Sequence, residues 1–71
     1  MPRGVMMWVP VEEQVALEAL GVQALDALIE VHEHFMQVPT EKWVMDVPRR
    51  EIQRRRDAAR AEWDRRFPRI S

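Results

Sequence analysis

The sequence predicts an all-α fold: a two-helix hairpin that pairs with a second copy into a homodimeric four-helix arrangement. Three observations point there. Apolar residues recur at helical spacing over 11–37 and, more sparsely, over 48–66. Prolines at positions 10, 39, 48 and 68 punctuate those two stretches. The apolar surface of the first stretch also far exceeds what the second can cover.

The 71 residues fit one small domain, with an apolar arm over 1–9, a first helix over 10–38, a connector over 39–47, a second helix over 48–67 and a tail over 68–71. Pro10 suits the first helical position, and Glu12 and Glu13 suit the positive end of the helix dipole. On a wheel of ~100° per residue, Leu17, Leu20, Leu25, Leu28, Ile29, Val31 and Phe35 share an arc of about 200°. A one-sided surface helix needs little more than ~100° of apolar surface, so this helix needs several neighbours. Gly21 falls on that arc. Without a side chain it would let another backbone approach, and it is also a place where the helix can bend or break. His32 projects into the arc as a core histidine with one hydrogen bond.

Pro39 ends the first helix, because the residue before a proline leaves the α region. In the connector, Thr40 suits the cap of a short turn, while Trp43, Met45 and Val47 alternate as in an extended piece. Asp46 and Pro48 open the second helix. Its apolar face is thin, with Ile52, Ala59, Trp63 and Phe67, and Glu51–Arg55 and Glu62–Arg66 are favourable i,i+4 pairs. A slender stripe cannot cover a 200° arc. Either the arm folds back or a second copy packs on it, with Leu17, Gly21, Leu25, Leu28, His32, Phe35, Ile52 and Trp63 as core and dimer residues.

The net charge of −1 is a cancellation. Residues 48–71 carry nine basic and four acidic groups, a net of +5; residues 1–47 carry two basic and eight acidic, a net of −6. A nucleic-acid helix would gather its arginines on one face, whereas Glu51, Asp57, Glu62 and Asp64 interleave with these. The expected use is an acidic first helix beside a basic second one, with Arg56 and Arg60 reaching toward carboxylates. Nucleic-acid binding by the Arg-rich helix stays as the alternative. A helix-turn-helix centred on Gly21 fails on charge, since its recognition helix would bring Asp26, Glu30 and Glu33 to phosphates.

Other chemistries find little support. His32 and His34 point ~160° apart on a helix and cannot share an ion. The chain has no cysteine and no tyrosine, its hydroxyls are Thr40 and Ser71, and no glycine-rich phosphate loop occurs. The expectation is therefore no enzyme, no metal and no cofactor. No apolar run is long enough to span a membrane and no secretory signal is evident, so a cytoplasmic location is expected. Aromatic residues, methionine and arginine are enriched at interface cores, which makes Trp43, Met45, Arg49 and Arg50 the candidate partner-binding residues.

In size and layout the chain resembles the small accessory proteins of temperate phages, among them quorum-sensing anti-activators. The resemblance rests on the long helix (11–37), the Trp-containing connector (41–47) and the Arg-rich second helix (48–66). It implies a small inhibitor in the host cytoplasm that binds a host transcription regulator and occludes its ligand- or DNA-binding function.

Overall fold

The computed structural model describes residues 9–69, all of whose regular structure is helical. Helix α1 spans Val11–Ala19, α2 spans Val22–Met36, a 3₁₀ turn spans Thr40–Lys42, and α3 spans Arg49–Arg66. The all-α class holds, and the single first helix does not. Leu20 (φ −75°, ψ 142°) and Gly21 (φ −70°, ψ 167°) are both extended and separate α1 from α2. Gly21 caps α2, its carbonyl accepting from Leu25 N–H at 2.9 Å. A Cβ added at Gly21 would meet nothing within 4 Å and the residue is exposed, so it takes no part in this chain's own core. Its use is to end one helix and start another.

The break has a packing reason. Both α1 and α2 pack on α3, which is the hub of the fold. On the wheel of α3, Ile52, Ala59 and Trp63 share one face, while Ala58 and Glu62 lie ~80–120° away. Leu17 of α1 and Leu25 and Ile29 of α2 join Ala58 and Ala59 in one buried cluster. An unbroken rod from Val11 to Gln37 could not wrap around α3 in this way. The thin stripe expected of α3 is thus corrected: its buried surface is broader, built partly from alanines that allow close approach.

The core remains small. Among the described residues the buried apolar ones are Leu17, Leu25, Ile29, Ile52, Ala58 and Ala59, and of the large ones Leu25 is the one fully enclosed. Val9, Leu20, Leu28 and Trp63 pack against it half-buried. Trp63 also lies against Phe67, with ring centroids 4.8 Å apart. His32 donates from Nδ1 to the Leu28 carbonyl at 2.8 Å, the single local bond expected of it. Of the expected arm, only Val9 falls within the described residues. No helix among those residues is long and apolar enough to cross a membrane.

Candidate partner-binding site

Three arginines of α3 organise the other elements. The C-terminus of a helix leaves carbonyls without partners and carries the negative end of its dipole. The last turn of α1 contains no basic residue. Arg66 supplies one from across the fold, donating from Nη2 to the carbonyls of Leu17 (2.9 Å) and Glu18 (3.1 Å). At the far end of α3, Arg49 donates to the carbonyls of Met36 (2.8 Å) and Val38, closing the end of α2. Between them, Arg54 joins Glu13 of α1 (2.8 Å) to Glu51 of its own helix (2.8 Å).

Arg49 also builds the connector. Its guanidinium lies 4.7 Å from the centre of the Trp43 ring, a cation–π contact. Trp43 Nε1 donates to the Val47 carbonyl at 2.9 Å and so closes the loop on itself. Thr40 is the first residue of the 3₁₀ turn, and the cap position belongs to Pro39. Asp46 likewise does not cap α3, whose cap position is Pro48, without a side-chain bond. The alternation read from the sequence is present: Trp43, Met45 and Val47 are half-buried, while Val44 and Asp46 are exposed.

The four residues singled out for partner contact therefore divide. Trp43 and Arg49 meet each other and hold the loop. Met45 is half-buried between them in sequence, and Arg50 is exposed with no hydrogen bond or ion pair among the described residues. The residue that sequence reasoning missed is Val44, an apolar side chain 90% exposed on this pinned loop. Its signal was present in the alternation, which placed it opposite Trp43 and Met45.

The charge segregation is used inside the chain. Of the eight arginines of α3, all but Arg50 bond to a carboxylate or a backbone carbonyl. Arg56 and Arg60 approach Glu33 of α2 at 3.8 and 3.5 Å, as their position beside the apolar face predicted. Hydrogen bonds from Arg54 and then Arg55 hold the Glu51 carboxyl down at about 2. Glu62 is buried, and bonds from Arg66 and then Arg65 hold its carboxyl below the usual range. Glu51 and Glu13 in turn raise Arg54 above its ordinary value.

Two of the concavities on the described surface are mainly apolar. One, of about 420 Å³, lies between Ala16, Leu20, Leu28 and His32, with Glu13 and Arg55 on its rim. The other, of about 400 Å³, lies on the outward side of α2 among Ala27, Glu30, Val31, His34 and Phe35. Among the described residues no group of three or more histidine or acidic side chains is placed to hold a metal ion. Comparison with protein-family models, curated protein sequences and solved structures finds no match to this chain.

Proposed function

We propose that the protein is a non-enzymatic binding module that docks on a regulatory protein of a host cell and disables it. The α2–α3 pair would act as a helical hairpin within a homodimer, in the cytoplasm of that host. The observation that carries the reading is the connector: Val44 stands 90% exposed on a loop closed by Trp43 and braced by Arg49. An apolar contact on a loop already held in shape loses little conformational freedom on docking, which favours affinity. Arg50, free of internal partners among the described residues, adds a cation beside it. The target, a host transcription regulator, follows from the resemblance to phage anti-activators.

Seven arginines of α3 already hold internal partners, so a phosphate backbone would have to compete with bonds the fold uses. The test is affinity capture from host lysate with wild type and with Val44→Asp as parallel baits. A protein retained by wild type, and lost with a Val44→Asp bait of unchanged melting temperature, supports the reading. Identical capture profiles for the two baits refute the loop as the contact. Retardation of duplex or single-stranded nucleic acid at low salt, abolished at moderate salt, would favour phosphate binding instead.

A further inference from the structure

We infer that α1 is a hinged strap: it swings away from α3 as a unit about Leu20–Gly21, while α2 and α3 stay packed on each other. The hinge is visible in the backbone. Leu20 and Gly21 are both extended; Leu20 N–H donates back to the Leu17 carbonyl at 3.1 Å, and the Gly21 carbonyl accepts from Leu25 N–H at 2.9 Å. Each bond belongs to one side of the break, so both survive a change of angle between the two helices. Hinges need a few residues that absorb a φ/ψ change without a clash. Gly21 is exposed, and even a Cβ placed on it would meet nothing within 4 Å.

The hold on α1 is thin. Of its nine residues Leu17 is the buried one, and α2 packs along α3 far more extensively than α1 does. Val9 and Leu20, just outside its two ends, rest half-buried on the core. The remaining ties among the described residues are polar and near the surface: Glu13 to Arg54 at 2.8 Å, and Arg66 to the Leu17 and Glu18 carbonyls. Such groups exchange one another for water at small net cost when they part. Leu17 also has unfilled space on both flanks, about 420 Å³ toward α2 and about 60 Å³ toward Ala58 and Ala61 of α3. It thereby forgoes dispersion contacts that a close-packed seat would give. The rest of the fold does not depend on α1 in this way. Leu25 and Ile29 bury α2, Arg49 ties its end to α3, and Trp43 closes the connector on Val47, with no bond from these to α1. The open form is therefore the α2–α3 hairpin with its loop intact and the seat of Leu17, in the cluster of Leu25, Ile29, Ala58 and Ala59, uncovered. Access to that seat is governed by α1.

Native-state amide exchange on the intact chain tests this. The hydrogen-bonded amides from Gln14 to Leu20 should share one protection factor, at least ~10-fold below that of the α3 amides, because a single opening frees them all. A variant separates this opening from global unfolding. Ile52 of α3 is buried outside the cluster that seats Leu17. Ile52→Val should speed exchange in α2 and α3 roughly 2- to 12-fold and leave the α1 amides unchanged, since these exchange through a form in which residue 52 stays packed. Protection in α1 less than ~10-fold below that in α3 overturns the strap. So does protection that rises residue by residue from Val11 inward, which is fraying. Equal acceleration of α1 and α3 in Ile52→Val also overturns it, because α1 would then open only when the whole chain unfolds.

Discussion

Replacing Arg66 by Met removes the tie between the end of α3 and the end of α1 while keeping most of the aliphatic stem. Three bonds are lost: to the Leu17 carbonyl at 2.9 Å, to the Glu18 carbonyl at 3.1 Å, and to Glu62 at 2.8 Å. The Glu18 bond is exposed and its carbonyl returns to water, so its loss costs a few tenths of a kcal/mol. The Leu17 bond is charge-assisted and partly buried, at about 1.5 kcal/mol. Glu62 keeps Arg65 but is buried, so losing half its compensation costs about 1 kcal/mol more. The total is about 2–3 kcal/mol, a large share of the ~4–10 kcal/mol available to a chain of this size.

At roughly 4–8 °C per kcal/mol, the melting temperature of Arg66→Met should fall by about 10–20 °C. Amide exchange should locate the damage, with α1 losing protection before α2, since α1 is held to α3 by little besides Leu17, Glu13 and this arginine. Arg65→Met is the internal control. Arg65 is half exposed and bonds only Glu62, so its loss should cost well under half as much. Equal melting of the two variants, or a loss of less than about 3 °C in Arg66→Met, would refute this role for Arg66.

Acid should act through the same carboxylates. Glu51 and Glu62 have folded values below their unfolded ones, so their contribution is present above about pH 4.5 and is lost as pH falls below it, for Glu51 toward about 2. Urea midpoints should be flat from pH 7 to 5 and decline below about 4.5; Glu51→Gln should be less stable at pH 7 and show a shallower decline. Gly21→Asp should raise stability by about 0.5–1 kcal/mol in chemical denaturation, because φ is negative, space is open, and neither a capping side chain nor a first-turn acid serves α2. Destabilisation there would restore the close-approach role. Leu25→Ala should cost about 2–5 kcal/mol and leave the chain partly unfolded by circular dichroism at 37 °C, since Leu25 is fully enclosed in a very small core.

The sequence made the helix ends legible where chemistry marks them locally. Pro39, Pro48 and Pro68 stand next to the boundaries of α2, α3 and the tail, and Glu51–Arg55 and Glu62–Arg66 form at the spacing that announced them. The break at Leu20–Gly21 was hidden because the apolar period runs across it in phase: Leu17, Leu20, Leu25 and Leu28 read as one face whether or not the backbone is continuous. Ala58 was missed because a small side chain carries little hydropathy, although its size is what lets α1 approach α3. The connector was legible in place but not in its internal bonds. Arg49 bonds carbonyls eleven and thirteen residues back, a closure that no local pattern encodes. Trp43 and Arg49 thus carry bonds within the chain that their positions in the sequence did not announce, and Val44 is the apolar side chain left exposed beside them.

The opposite charges of the two halves are best understood as a substitute for core. Six buried apolar residues among the described ones, two of them alanines, make a small core. The fold adds polar ties at both ends of one helix, with Arg66 on the end of α1 and Arg49 on the end of α2. Both ties leave the same rigid helix, so α3 fixes where α1 and α2 lie without needing a thick apolar layer. This leaves apolar side chains for the outside. Val31 and Phe35 lie along α2 just before the Met36 carbonyl that Arg49 grips, and Arg49 in turn braces Trp43 beneath the loop that carries Val44. One arginine therefore links the end of α2 to the loop that carries the proposed contact.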